Sequence, residues 1–333
     1  MRRTVLVVAL VGAVLVAGCT GAEIDVSSPD NGDTSIDANG EVEGELEIHH
    51  IDVGQADAAL IRTPDGETVL VDSGDWRQDG SGVIEYLDAH GVDRIDHLIA
   101  THGHADHIGG HAAIIEEFEA NRGGIGSIYD SGVTHTSQTY ENYLDAVEEH
   151  GQELLVVEEG DELPLEDGNV SATVLNPPSG DGDDLHEDSV AVMFQFGDVR
   201  YLTTGDAETE AEERMLDSWS EELDADVYQA GHHGSSTSST PAFMDAVSPD
   251  VAIVSSGFDS QYGHPHDEVL AGFAERGIET YWTGVHGDIV LTSDGSEIDV
   301  ETAESFSTDP DELLEAKHAD ESPSIATPTG EAG

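Results

Sequence analysis

The stretch Thr101-His102-Gly103-His104-Ala105-Asp106-His107 constrains the fold of this chain more than any other part of it. It follows the apolar run His97-Leu98-Ile99-Ala100 and precedes a helical pattern from Ile108 to Glu119, so it occupies a strand-to-helix junction. Three imidazoles and a carboxylate within six residues have no packing use; a His-rich surface loop is the bland alternative. Imidazole nitrogen and carboxylate oxygen are the donors a borderline transition metal takes. In an extended segment His102 and His104 point to one side. Asp106 and His107 turn back toward the same space as the helix begins, and Gly109 and Gly110 let that first turn pack closely. This is the layout of a two-metal site with a divided ligand set.

The rest of the chain supplies a scaffold of matching size. Strands are predicted at Leu46 to Ile51, Ala58 to Arg62 and Thr68 to Val71, with Pro64-Asp65-Gly66 as the turn between the last two. Later strands fall at Leu154 to Val157, Val170 to Leu175, Val190 to Phe196, Arg200 to Thr204, Val227 to Ala230 and Val251 to Ser255. Helical patterns fall at Val83 to His90, Tyr140 to His150, Glu208 to Trp219 and His266 to Arg276. Strand runs with helices interspersed, rather than strict alternation, fit an α/β fold of two sheets packed face to face with helices outside.

The two ends read differently. Arg2 and Arg3, the apolar run Val5 to Ala17 and the sequence Val16-Ala17-Gly18-Cys19 form a lipoprotein signal peptide over residues 1–19. Cys19 is the sole cysteine and stands where a lipid would be attached, which excludes an internal disulfide and any thiolate metal ligand. The expectation is an exported protein, lipid-anchored to the outer face of the cytoplasmic membrane, by the general secretory or the twin-arginine route. Residues 20–45 form an acidic flexible tether, 46–300 a single large domain, and 301–333 an acidic, disordered tail in which Pro310 to Ala319 has helical character.

Seventy-two acidic residues against 10 Lys and Arg give a net charge of −62. So many like charges repel in dilute buffer and are screened only at high ionic strength. The acid is spread over every segment, which resembles proteins of extreme halophiles and argues against long electrostatic tracks for nucleic acid.

The His-x-His-x-Asp-His motif after a strand resembles the signature of the metallo-β-lactamase fold, a four-layer αββα sandwich. Within that fold, His50-Ile51-Asp52-Val53-Gly54-Gln55-Ala56-Asp57-Ala58, Val71-Asp72-Ser73-Gly74 and Asp188-Ser189-Val190-Ala191-Val192 look like the metal-dependent domain of ComEC-type DNA-uptake proteins. So do Leu202-Thr203-Thr204-Gly205-Asp206-Ala207-Glu208, Gly231-His232-His233-Gly234-Ser235 and Tyr262-Gly263-His264-Pro265-His266. The resemblance implies two divalent ions, zinc or manganese. It places His102 and His104 at the first, Asp106 and His107 at the second, and Asp206 between them. For Asp206 a helix N-cap is the plainer reading.

Of the adjacent pair, His232 is expected to bind the second metal and His233 to point away, because neighbouring side chains in an extended segment diverge. His186 or Asp188, or neither, completes the first site, with His186 ahead. Asp106 is expected to orient the attacking water, and His264 is a candidate general acid or phosphate contact. Asp72 is expected to fix a ligand imidazole from behind, and Ser235 and His266 either to support the ligands from behind or to face substrate. The activity implied is metal-assisted hydrolysis, first of a phosphodiester in extracellular DNA. Small phosphodiesters, lactones or amides are the alternative, and a lipid-tethered metal-binding accessory protein the non-enzymatic one.

Overall fold

The computed structural model describes residues 42–180 and 182–319. The signal peptide with Cys19 and most of the tether lie outside the described residues.

The first sheet is built from β1 (Leu46–His50), β2 (Ala59–Arg62), β3 (Thr68–Val71), β4 (Ile95–Ala100), β5 (Ile125–Asp130) and β6 (Leu154–Val156). Strands β13 (Ile289–Ser293) and β14 (Ile298–Thr302) return to it, giving the order β14-β13-β1-β2-β3-β4-β5-β6. The second sheet holds β7 (Val170–Asn176), β8 (Ala191–Phe196), β9 (Val199–Thr203), β10 (Val227–Gln229), β11 (Val251–Val254) and β12 (Glu279–Trp282), in the order β12-β11-β10-β9-β8-β7. Each sheet is antiparallel on one side and parallel on the other.

Three apolar clusters define the layers. Between the sheets lie Ile48, Ile61, Ile99, Val192, Phe194 and Ile253. The opposite faces of β2, β3 and β4 bring Leu60, Leu70 and Leu98 against α1 (Ser81–Ala89), α2 (His111–Asn121) and α3 (Gln138–His150). Helices α4 (Thr209–Trp219), α5 (Pro241–Val247) and α6 (Asp267–Arg276) cover the second sheet with Met215, Phe243 and Phe273. Each such fully buried side chain contributes about 1.5–3 kcal/mol relative to exposure. The short helix α7 (Thr283–His286) follows β12. The architecture is the expected αββα sandwich.

The tail differs from its reading as disordered from residue 301. Strand β14 runs to Thr302, and α8 (Pro310–Lys317) packs beside α6 with Leu313 fully buried. Asp309 caps α8 by accepting from the Asp311 N–H at 2.9 Å, and Lys317 and His318 reach Asp267 at 2.6 and 2.8 Å. One apolar face in an otherwise acidic segment was enough to dock it.

Candidate metal centre

The loop from β4 to α2 is held in place by the one that follows β3. Since β3 and β4 are parallel neighbours, Asp72 leaves β3 beside the end of β4. It has a left-handed backbone (φ 57°), and its carboxylate accepts from the Thr101 N–H at 2.9 Å and the Thr101 hydroxyl at 2.7 Å. The chain at Ser73–Gly80 then crosses α2's start so closely that a Cβ on Gly109 would meet the Trp76 nitrogen at 2.1 Å, and one on Gly110 the Ser73 carbonyl at 2.6 Å. Only glycine allows that crossing. Helix α2 therefore begins at His111 rather than Ile108.

The second sheet faces this loop with three segments. Asp206 follows β9, its N–H donating to Ser189 Oγ at 3.1 Å. Its carboxylate does not cap α4; the capping position belongs to Glu208. His186 comes from the loop between β7 and β8. His232 and His233 follow β10 in a tight turn, Gly231–Gly234.

These segments form two groups that share Asp206. Donor atoms of His102, His104, His186 and Asp206 lie within 4.8 Å of one another, and so do those of Asp57, His107, Asp206 and His233. The inward nitrogens are fixed from behind. His102 Nδ1 donates to Thr101 Oγ1 at 3.1 Å, His107 Nδ1 to Asp72 Oδ2 at 2.7 Å, and His233 Nδ1 to the Ser255 carbonyl at 3.0 Å. Outer partners of this kind set the tautomer of metal-ligating histidines. The Nε2 atoms of His107 and His233 are then left facing each other at 3.2 Å, and His102 Nε2 faces His104 Nδ1 at 2.8 Å. Bare nitrogens at such distances repel unless a proton or a metal cation lies between them. Asp206 Oδ1, 3.1 Å from His107 Nε2, is buried without a hydrogen-bond partner. This donor set fits divalent metal.

The electrostatics agree. Burial opposes charge on His107, yet Asp206 and Asp72 raise its affinity for a proton well above the ordinary imidazole value. His233 is likewise pushed up to about 9, burial being outweighed by Asp57 and Asp206. Burial also opposes ionisation of Asp206, but His107, His233 and His102 hold its carboxyl well below the usual range. On the other side burial and neighbouring imidazoles lower His102 and bring His104 down to about 4.

The structure brings several of the predicted residues to the centre. Asp72 stands behind His107. Asp106 Oδ2 lies 3.5 Å from His233 Nε2, on the inward side of the second group. His186 Nε2 is 4.0 Å from Asp206 Oδ2, whereas Asp188 turns away to accept from the Asp183 and Asp184 N–H groups. His264 borders the centre, with its ring 5.6 Å from that of His232 and 6.2 Å from that of His233.

Other placements depart from expectation. His233, not His232, joins Asp106 and His107; His232 Nε2 instead lies 3.5 Å from Asp206 Oδ2 on the first group's side. The segment is not extended, because both residues have left-handed backbones (φ 51° and 56°), and that turn sends both rings into the cleft. Ser235 Oγ is tied to Thr237 Oγ1 at 2.9 Å, and its N–H donates to the His232 carbonyl, so of its two expected roles it takes the supporting one and braces the turn. His266 Nδ1 accepts from the Ser236 N–H at 2.8 Å and braces the same turn.

Three contributors had no assigned role. Glu208 Oε1 accepts from His232 Nδ1 at 3.0 Å and lies 3.7 Å from His186 Nδ1. Asp57 sits behind the second group, 3.5 Å from His233 Nδ1, and accepts from Gln229 Nε2 at 2.9 Å. Gln55 Nε2 donates to His264 Nδ1 at 3.3 Å. All three lie within the quoted motifs, but only the folded loops reveal what they touch.

Residues 51–257 match the family described as the metallo-beta-lactamase superfamily, and the chain belongs to it. It is 30% identical over 263 residues to ComE operon protein 3 of Bacillus subtilis (strain 168), a match covering 74% of this chain and 33% of that protein. It is also 30% identical over 246 residues to competence protein ComA of Neisseria gonorrhoeae, covering 74% and 32%. The chain thus spans about a third of the length of these relatives. Among solved structures, CmlA, a diiron beta-hydroxylase from Streptomyces venezuelae, superposes with a TM-score of 0.48 at 17% identity, covering 75% of this chain and 54% of that one.

Proposed function

We propose that this metal-dependent hydrolase is a phosphodiesterase, acting as a nuclease on extracellular DNA with two divalent ions, zinc or manganese. The protein would be held outside the cytoplasmic membrane by a lipid on Cys19. The observation that carries the reading is the shared carboxylate of Asp206 between two groups of inward-facing imidazoles. Sequence identity to a protein named for competence supports the choice of DNA.

His102, His104 and His186 would hold one ion, with His232 beside them. Asp106, His107 and His233 would hold the other, and Asp206 would reach both. Ions so held would supply Lewis acidity toward a phosphoryl oxygen and a water acidified enough to attack at neutral pH. Asp106 is held well below the usual carboxylate range: burial works against ionisation, but the His233 hydrogen bond and His107 overcome it. It is therefore an anionic acceptor that can orient a water.

His264 is a hydrogen-bond donor, not an imidazolium acid. Burial, with His233 and His232, brings it down to about 3, and the Gln55 amide on Nδ1 leaves its proton on Nε2. It can hold a phosphoryl oxygen. The leaving oxygen would then take its proton from water.

The test is cleavage of linear single- and double-stranded DNA by the protein in multimolar salt with manganese or zinc. An Asp106→Ala, His107→Ala variant runs in parallel. Metal-dependent cutting lost in the variant is the expected result. A folded, metal-loaded protein that leaves DNA intact would overturn the reading and direct the search to small phosphodiesters and lactones.

A further inference from the structure

Among the described residues the exposed large apolar side chains are Trp76, 52% exposed, and Tyr262, 58% exposed. Both belong to loops that border the metal centre. The Trp76 N–H donates at 3.0 Å to the carbonyl of Ala105, the residue before Asp106. The guanidinium of Arg77 lies 5.0 Å from the Trp76 ring and is itself tied to Asp75 at 3.0 Å. Tyr262 belongs to the opposing loop, its ring 5.8 Å from that of His264. A single exposed aromatic needs no explanation, but two on separate loops flanking one site, with the other large apolar groups buried or half-buried, do.

Charge says what they are for. A protein that binds a phosphodiester chain usually gains affinity by pairing phosphates with Lys and Arg and releasing counterions. Here the net charge is −62. Each described arginine, and Lys317, is already engaged by a carboxylate or, for Arg200, by the Glu222 carbonyl. Apart from what bound ions would contribute at the reacting phosphate, affinity must come from a contact that does not depend on net charge. Stacking of bases on aromatic rings is such a contact, and it is indifferent to base sequence.

We propose that Trp76 and Tyr262 are nucleobase-stacking residues on either side of the metal centre, and that the substrate presents unstacked bases, as a single strand or a frayed end. Inside a duplex the base faces are already occupied, so rim aromatics gain nothing there. The proposal rests on the nuclease reading for its choice of ligand, but binding and cutting are measured separately.

The probe is a fluorescent phosphorothioate oligothymidylate, with a blunt duplex of equal length beside it, titrated by anisotropy into the metal-loaded full chain. The wild type is expected to bind the single strand about tenfold or more tightly than the duplex, with little loss as salt rises. Trp76→Ala and Tyr262→Ala should each weaken single-strand binding about tenfold. Metal content should stay unchanged, since neither side chain reaches a ligand. Equal affinity for duplex, an unchanged double variant, or no binding by the wild type would each overturn the proposal. If the oligonucleotide is bound through both aromatics yet ordinary DNA is not cut, the nuclease reading falls and the stacking pair stands. If DNA is cut and the double variant binds and cuts as before, the reverse holds.

Discussion

The two halves of the metal centre differ in how they are closed. The half around His107, His233 and Asp206 is sealed at its imidazoles and shared carboxylate, those side chains being no more than 2% exposed, and opens only at Asp106, 31% exposed. Each imidazole there has a buried partner behind it: Asp72 for His107, and the Ser255 carbonyl with Asp57 for His233. The half around His102, His104, His186 and Asp206 is open, with His186 at 32% and neighbouring His232 at 20% exposure. Its outer histidines lean on Glu208, itself partly exposed. Burial makes the sealed half rigid and strongly cation-seeking. The open half trades rigidity for access, which suits the side where substrate enters.

The hardest way to break this comparison is to remove what both halves share. Asp206→Asn should lower activity by about a thousandfold or more, because the loss at two ions amounts to ~4 kcal/mol. It should also reduce bound metal at both halves, read by elemental analysis. A variant that keeps both ions would show that the carboxylate does not bridge.

Acidity should separate the halves next. Ligation requires neutral imidazole. His107 and His233 have raised proton affinities, His233 to about 9, so without a cation a proton is held between their facing Nε2 atoms at pH 7. Metal entering the sealed half must then displace that proton, and its affinity falls about tenfold per unit as pH drops below 9. His104 sits near 4 and His102 is also lowered, so protons compete for His104 only when pH approaches 4 and for His102 only below the ordinary imidazole range. Titration calorimetry in buffers of different ionisation enthalpy reads the released protons directly. Equal release at both halves would refute the distinction.

Partner substitutions give smaller, local effects. Asp72→Asn should cost about 10–100-fold in metal affinity at the sealed half, and little at the open one, in a chelator competition. Glu208→Gln should weaken the open half by about tenfold, the low end of the same range, because its imidazoles are already partly in water. If Glu208→Gln instead weakens the sealed half, the division drawn here is wrong.

Legibility in the sequence followed the same line. The His102–His107 loop and Asp72 could be read because their ligands lie within a few residues, on segments whose strand periodicity fixes direction. The αββα sandwich was readable for the same reason, from runs such as Leu98-Ile99-Ala100. The His232/His233 assignment went the other way because it assumed extended backbone, and nothing local in Gly231-His232-His233-Gly234 announces two left-handed residues in succession. That turn depends on remote support from His266 and the Ser235–Thr237 pair. Glu208 and Asp57 became visible only once loops far apart in the chain met. The helical character of Pro310 to Ala319 is legible but its docking is not, because its one buried leucine, Leu313, is a faint signal amid so much acid.

The left-handed turn at Gly231–Gly234 carries one more implication. Adjacent residues deliver their rings to different halves, so a single peptide unit joins the two ion positions. Occupying the sealed half orders His233 and, with it, the backbone of His232, which removes part of the entropy that the open half would otherwise lose on binding. Uptake is therefore expected to be stepwise and positively cooperative, the sealed position filling first and priming the second.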